Sequence, residues 1–393
     1  MKFSTRLKKI PTLKEKKLFV KNYKDLKNLM RTRRLLKVLI LSASIGSGHT
    51  KAAESLAKKF GGEVETVDFM SKEISTLNFL TKRIYLAALK FIPDLYDRIY
   101  KFTGKRKIGT LARMAVSTLM YFPFKRLLKK FEPDAVICTH PFPEAAASLW
   151  KFLHAKSVRR FSLAAVLTDY SLHEIWIFSE VDVYFVATDA MKLELERQSR
   201  PNQEIYAVGI PIGEEFCKLK LIEHKMPTIL IMGGGLGLGS IEETLQDLNN
   251  VEIPLKIFVV AGQNQNLLTR LKNLQKKICH ETEILGYVEN IGELMSMSDL
   301  LITKPGALTM TEAFAAGLPM ILHAPIPGPE SENALYAVTN GAAISAGDLK
   351  ISSIVTEILK NPARLDEMKF SAKKLSKVNA ATEIVNRLKN FIH

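Results

Sequence analysis

A single histidine at the end of a glycine-rich turn is placed for proton transfer. The turn, SASIGSGH at 42–49, lies between an apolar run typical of a buried strand and a stretch with helical periodicity. Gly46 and Gly48, on either side of Ser47, let the backbone approach a ligand closely, and the helix N-terminus behind them favours negative charge. The spacing is not GxGxxG and no P-loop lysine follows, so a dinucleotide or ATP site has little support. His49 is a candidate general base near neutral pH, the alternative being an ordinary residue of a first helical turn.

A second candidate base follows a later apolar run. Asp169, in the motif LTDY, ends the predicted strand FSLAAVLTD, and side chains at the carboxyl ends of parallel strands face the ligand crevice of such folds. The favoured alternative is that this carboxylate caps a turn or orients His49. His173 and Trp176 follow closely and are candidates for lining the same crevice.

A second glycine-rich turn, MGGGLGLGS at 232–240, follows the apolar run TILI. Gly233, Gly234 and Gly235 leave no side chain between the backbone amides and an anion, which favours binding of a diphosphate. The alternative is a flexible connection between a strand and a helix.

A third segment, 302–334, combines a turn, a short helix and a proline-rich loop. Thr309 and Glu312 fit a capping box, and Gly317 is placed to end the helix. A carboxylate one turn into a helix that faces the cleft is also able to accept hydrogen bonds from both hydroxyls of a ribose. The loop that follows offers side chains suited to binding sugar hydroxyls, namely Glu330, Glu332 and Asn333. The alternative is that this loop is simply solvated.

The elements that must position these residues alternate between buried-strand runs and helical stretches, which predicts parallel sheets covered by helices. The chain of 393 residues is long enough for two domains, and the alternation pauses once, in a polar stretch bounded by prolines. The sequence thus predicts an α/β protein with two Rossmann-like domains facing across a cleft. The predicted units are a basic extension (1–34), an N-terminal domain (35–215), a linker (216–227), a C-terminal domain (228–378) and a terminal helix (379–393).

Two segments carry all the net positive charge of the chain. Residues 1–34 and 78–130 each have a net charge of +11, whereas the whole chain has +16, so the remainder is acidic. The second segment interleaves aromatic and leucine side chains with cations, among them Lys105, Arg106 and Lys107, which predicts an interfacial membrane surface. The alternative is a helical insertion whose charges are merely solvated.

The sequence gives less support to other classes of protein. No apolar run reaches the length of a membrane span, and the start lacks the apolar stretch of a signal peptide. Three widely spaced cysteines without CxxC argue against a disulfide framework or a zinc site and for a reducing, cytoplasmic setting. A nucleic-acid-binding protein using its basic face stays an alternative, but no motif for stacking or groove reading is present.

Several motifs together, in this order and spacing, resemble family 28 glycosyltransferases. They are SASIGSGH, LTDY, VDVYFVAT with VGIPI, MGGGLGLG, GYVENIGELMSMSDLLITKPGALTMTEA and LPMILHAPIPGPESEN. The resemblance covers the chain from about Lys37 to its end. It is strongest to the branch of monogalactosyldiacylglycerol synthases and processive diacylglycerol glucosyltransferases, and weaker to the peptidoglycan N-acetylglucosaminyltransferase, which stays an alternative.

The resemblance implies a GT-B fold and an inverting transfer of a hexose from a UDP-sugar to 1,2-diacylglycerol, with glucose the first choice and galactose the second. It implies no bound metal and no cofactor beyond the sugar-nucleotide substrate, and peripheral attachment to the inner face of the cell membrane.

The implied roles of the residues follow from the same motifs. His49 is the base, Glu312 holds the ribose, the backbone at Val288 contacts uracil, and Glu330 contacts the donor sugar. The remaining implied donor-site residues are the three glycines at 233–235, Lys304, Gly306, Ala307, Leu308, Thr309 and Asn333.

The sequence departs from the family pattern in one place that concerns the donor. Pro329 stands where the family commonly has a glutamine able to bind the sugar, which leaves the choice of donor open. The extension 1–34 precedes the usual start of the family. A sugar-nucleotide-binding protein without catalysis is the remaining alternative.

Overall fold

The computed structural model describes most of the chain from Leu36 onward. The described residues are 36–43, 47–70, 106–155, 161–219, 222, 225–235, 237, 240–323, 325 and 328–392. Some features singled out in the sequence lie outside these residues: the extension 1–34, the segment 78–105 with Lys105, and Gly46. Arg106 and Lys107 begin a described helix, but their side chains are not described.

The first half of the chain builds a six-stranded parallel sheet in the order β2-β1-β3-β4-β5-β6. Its inner strands are continuous apolar runs that are buried on both faces, as parallel sheets under helices require. The strands are β1 (Lys37–Ser42), β2 (Glu63–Asp68), β3 (Ala135–Cys138), β4 (Ser162–Val166), β5 (Val183–Val186) and β6 (Glu204–Ala207).

Four described helices accompany this sheet. The helix after β1 buries Ala52, Ala53 and Leu56, so its polar face is left for the cleft and the solvent. The helices are α1 (Gly48–Phe60), α2 (Arg106–Phe131), α3 (Pro141–Leu153) and α4 (Asp189–Glu196).

The second half repeats the plan with a parallel sheet in the order β12-β11-β10-β7-β8-β9. The strands are β7 (Thr228–Met232), β8 (Lys256–Val260), β9 (Glu281–Leu285), β10 (Leu300–Thr303), β11 (Met320–Leu322) and β12 (Ala343–Ser345). The helices are α5 (Ile241–Asp247), α6 (Gln265–Gln275), α7 (Ile291–Ser296), α8 (Ala307–Ala316), α9 (Pro329–Thr339), α10 (Ile351–Leu359) and α11 (Pro362–Lys374).

The last helix, α12 (Ala380–Ile392), returns to the first sheet. Its buried side chains Ile384 and Leu388 share a core cluster with Val38, Ile40 and Phe60 of the first domain. Just before it, the Lys377 ammonium donates hydrogen bonds to the carbonyl oxygens of Ala187 and Ala207 at 3.2 and 2.9 Å. The end of the chain therefore fastens the two domains together.

Each sheet has one point at which the strand order reverses. In the first sheet this switch lies between β1 and β3, and in the second it lies between β7 and β10. Ligands of open α/β sheets bind outside the carboxyl ends of the strands at such switch points. The prediction of an α/β protein with two Rossmann-like sheets is confirmed, and both glycine-rich turns fall at the switch points.

Candidate active site

The imidazole of His49 lies at the switch point of the first sheet. His49 is the second residue of α1 and is partly exposed, and its Nδ1 is 2.9 Å from the carbonyl oxygen of Thr139 at the end of β3. Burial lowers the pKa of His49 below its ordinary value, although the Asp169 carboxylate and the Thr139 carbonyl act to raise it. A neutral imidazole with one nitrogen held by the protein has the form that a general base requires.

A second histidine, not singled out in the sequence, contacts the first. The rings of His140 and His49 meet edge to face with centroids 4.7 Å apart. His140 caps α3, since its Nδ1 accepts the Phe142 backbone N–H at 3.2 Å. Burial and then the neighbouring His49 hold the pKa of His140 well below its ordinary value. His140 is therefore neutral and does not oppose a positive charge on His49.

The carboxylate of Asp169 faces the second domain. Its Oδ1 accepts a hydrogen bond from the Asn333 side-chain amide at 3.3 Å, and its charge raises the pKa of His49. His173 and Trp176 are both buried: His173 caps the short 3₁₀ turn Glu174–Trp176 and Trp176 belongs to the core. The structure thus places these two residues in the framework beneath the crevice.

The second switch point gathers most of the residues that were predicted to form a donor site. Helix α8 begins at Ala307 after Gly306, so the first helical N–H groups of Ala307, Leu308 and Thr309 stand at its positive end. Lys304 lies just before this turn and forms a largely buried ion pair with Glu330 of α9.

The predicted capping box at Thr309 and Glu312 is wrong. The residue that caps α8 is Gly306, and Thr309 is already the third residue of the helix. Glu312 instead lies mid-helix and is only 4% exposed. Burial raises the pKa of Glu312 to about 7, with Lys51 of the first domain opposing the rise and Glu215 adding to it. The prediction that Gly317 ends the helix agrees with its left-handed backbone, at φ 65°.

The two glycine-rich turns come into contact across the domains. A Cβ atom added to Gly235 would stand 3.0 Å from Ser47 Oγ, and one added to Gly48 would stand 3.5 Å from Leu308 Cβ. On the other side, a Cβ on Gly234 would be 3.9 Å from Lys304 Cε. The loop that leads to His49 and the positive end of α8 therefore share one small volume. Side chains at these glycines would partly fill it.

A cavity of about 360 Å³ continues from this volume between the domains. Its lining includes Lys51 and Lys58 of α1, Tyr287 and Glu289 after β9, and Glu312 of α8. Val288 lies between two of these lining residues and is partly exposed. The volume falls within the range of small-molecule sites. Among the described residues no group of histidine, cysteine and acidic side chains is arranged to hold a metal ion.

Tyr170 joins the two domains beside the crevice. Its hydroxyl and Thr311 Oγ1 are 2.8 Å apart, its backbone N–H donates to Asn333 Oδ1 at 2.8 Å, and its ring stacks on Tyr336 with centroids 4.5 Å apart. Asn333 is 1% exposed and also donates to the Pro305 carbonyl at 3.3 Å. The structure thus uses the Asn333 amide to hold the domains together. Neither this role nor that of Tyr170 was predicted from the sequence.

Replacing Tyr170 with alanine should lower the unfolding free energy by about 2–4 kcal/mol, because a stacked ring between domains is lost. Tyr170→Phe is the matched control, since it keeps the stacking and loses only the hydroxyl contact, worth about 1 kcal/mol. Urea unfolding followed by circular dichroism measures both. An alanine variant as stable as the wild type would mean that this contact does not hold the domains.

The two sheets and the cleft between them form a GT-B fold. Two solved structures share the fold. MurG of Acinetobacter baumannii has a TM-score of 0.60 and 18% identity, and the match covers 90% of this chain and 99% of MurG. A UDP-glucosyltransferase of Polygonum tinctorium has a TM-score of 0.57 and 12% identity, and the match covers 90% of this chain and 98% of that protein. Residues 49–212 match the model of the monogalactosyldiacylglycerol (MGDG) synthase family, and residues 228–388 match the glycosyltransferase family 28 C-terminal domain.

Curated relatives narrow the family further. Proteins of Bacillus cereus AH187 and Bacillus mycoides KBAB4, each described as a processive diacylglycerol beta-glucosyltransferase, are 33% identical to this chain over 371 residues, which is 90% of this chain and 93% of theirs. The chain belongs to glycosyltransferase family 28, in the branch that contains the MGDG synthases and these glucosyltransferases.

Proposed function

We propose that this protein transfers a hexose from a UDP-sugar to 1,2-diacylglycerol with inversion at the anomeric carbon, glucose being the first choice of donor sugar and galactose the second. The observation that carries the proposal is the contact between the turn leading to His49 and the positive end of α8 at Leu308. The names of the Bacillus relatives support the acceptor and favour glucose.

In the proposed reaction, His49 Nε2 takes the proton of the acceptor hydroxyl while the hydroxyl oxygen attacks the anomeric carbon. The bond from that carbon to the diphosphate breaks, and the electron pair leaves with UDP. Negative charge then grows on the diphosphate, where the N-terminus of α8 and Lys304 stabilise it. The ion pair of Lys304 with Glu330 keeps the ammonium at this place before the donor binds.

The proposed nucleotide site uses the cavity between the domains. The Glu312 carboxylate accepts hydrogen bonds from the ribose hydroxyls, and the backbone around Val288 contacts the base. The burial of Glu312 supports this role, because a buried carboxylate needs donors that a bound ribose would supply.

A screen of donors tests the substrate proposal. Liposomes that contain diacylglycerol are incubated with the protein and, in separate reactions, UDP-glucose, UDP-galactose and UDP-N-acetylglucosamine, and the lipid fraction is analysed by mass spectrometry. We expect a hexosyl-diacylglycerol from UDP-glucose. A product from UDP-N-acetylglucosamine alone, or no lipid product from any donor, would overturn the proposal.

We further propose that the protein binds peripherally to the inner face of the cell membrane through α2. Among the described residues, no helix combines the length and apolar character that crossing a bilayer requires. Met114, Leu119 and Phe122 of α2 are 62, 57 and 68% exposed. The basic side chains Lys125 and Lys129 follow at helical spacing, so they lie on the same face of the helix as Phe122. This face pairs apolar side chains with cations, the composition of an interfacial helix.

Replacing Leu119 and Phe122 with serine should lower binding to anionic liposomes about tenfold or more at high salt, because two inserted apolar side chains are lost. Replacing Lys125 and Lys129 with glutamate should instead weaken binding at low salt, where the attraction to anionic lipid is strongest. Liposome sedimentation measures both variants.

Phe370→Ser is the matched control for this surface, since Phe370 is 72% exposed but belongs to α11 of the second domain. It should bind liposomes like the wild type. An equal loss in the Phe370 variant, or equal wild-type binding to neutral and anionic liposomes at any salt, would contradict the assignment.

A further inference from the structure

A hydroxyl group at the end of β4 lies against the imidazole of His49. Thr168 Oγ1 is 2.6 Å from His49 Nδ1, and the Thr139 carbonyl oxygen is 2.9 Å from the same nitrogen. β3 and β4 are neighbouring parallel strands, so the residues that follow their carboxyl ends meet at one edge of the sheet. Thr168 is 5% exposed, which keeps water from competing for this contact.

These two oxygens decide which nitrogen of His49 is the base. A carbonyl oxygen only accepts hydrogen bonds, and an unprotonated Nδ1 facing it at 2.9 Å would place two lone pairs against each other. Nδ1 therefore carries the hydrogen, and Nε2 has the free lone pair. The Thr168 hydroxyl oxygen then accepts the same N–H, which makes a three-centre hydrogen bond.

We propose that Thr168 is a positioning residue for His49, an inference that rests on the proposed role of His49 as the base. Its hydroxyl oxygen holds the ring with Nε2 free, and it stabilises the imidazolium that forms when His49 takes the acceptor proton. The side chain of Asp169, for which the sequence left a role as base, as turn cap or in orienting His49 open, accepts a hydrogen bond from Asn333. Asp169 acts on His49 through its charge, and the other titratable group against the ring, His140, is neutral.

The test compares Thr168→Val, which removes the hydroxyl at constant shape, with Thr168→Ser, which keeps it. The valine variant should lower kcat about 10- to 100-fold, as expected for one hydrogen bond to a charged group. KM for the UDP-sugar should change less than about twofold. The imidazolium loses a partner, so the acid limb of the kcat/KM profile should move to lower pH. The serine variant should recover the rate to within about threefold of the wild type.

Thr228→Val is the matched control, because Thr228 is equally buried but lies at the start of β7, at the opposite edge of its sheet from the cleft. It should keep the wild-type pH profile. A Thr168→Val variant with the wild-type kcat and pH profile would overturn the proposal, and so would a serine variant as slow as the valine variant. His49→Ala, assayed in parallel, distinguishes failure of the proposed mechanism from failure of the role of Thr168. Full transfer by His49→Ala would overturn the proposed mechanism itself. Loss of transfer by His49→Ala, together with an unaffected Thr168→Val variant, would overturn only the role of Thr168.

Discussion

Replacing His49 with alanine should reduce the rate of hexose transfer about 10²- to 10⁴-fold, because the proposed general base is lost. Affinity for UDP should stay within about twofold, since the proposed contacts of the nucleoside, Glu312 and the backbone around Val288, lie on the second domain. Initial rates on diacylglycerol liposomes and calorimetric titration with UDP measure the two effects.

His280→Ala is the control for His49. Its ring also bonds a backbone carbonyl, with Nε2 2.8 Å from the oxygen of Leu248, but it lies just before β9 at the opposite edge of the sheet from the cleft. This variant should transfer hexose like the wild type. A His49→Ala variant that loses transfer and UDP binding equally would show that His49 supports the fold of the cleft, and one that keeps transfer would remove it from the reaction.

Replacing Glu312 with glutamine should weaken UDP binding about 10- to 100-fold at pH 8, because the proposed charged acceptor for the ribose hydroxyls is lost. The pH dependence of UDP binding is the more specific test of this role. The pKa of Glu312 is raised to about 7, so the carboxylate of the wild type forms between about pH 6 and 8. UDP affinity should rise across this interval in the wild type and stay flat in the variant.

The unfolding free energy of the unliganded protein should fall as the pH rises, whereas the affinity for UDP should increase. An acid whose pKa is higher in the folded than in the unfolded state binds more protons when folded, so its contribution to stability is lost as pH rises from about 4.5 to about 7. Glu312→Gln removes this loss, and it should raise the unfolding free energy at pH 8 by an amount on the order of 2 kcal/mol. A less stable variant with normal UDP binding would mean that Glu312 has only a structural role.

The inner strands of both sheets could be predicted from the sequence, because strands buried on two faces read as unbroken apolar runs. Strands β2, β6 and β12 were not predicted, and each lies at the edge of its sheet. Their burial is partial, so polar residues such as Glu63 and Glu65 interrupt the pattern. Pairing with a neighbour, and not apolar content, makes these segments strands.

The candidate site likewise contains some residues that the sequence singles out and others that it does not. The glycines, His49 and Glu312 could be singled out from the sequence because each occurs in a motif of local spacing. The contacts of His140, Thr168 and Tyr170 depend on segments 90 or more residues apart in the chain, and no local pattern encodes them. The capping box at Thr309 was wrong for a local reason: Gly306 is the N-cap, so α8 starts earlier than the polar residues indicate.

The anomeric configuration of the lipid product tests the central claim most directly. The wild-type protein is incubated with diacylglycerol liposomes and UDP-glucose, whose glucose is α-linked to the diphosphate, and the purified glycolipid is analysed by proton NMR. Direct attack by an acceptor hydroxyl that His49 deprotonates predicts a β-linked product. An α-linked product would contradict a single displacement in this cleft, and with it the proposed role of His49 and of the residues that hold it.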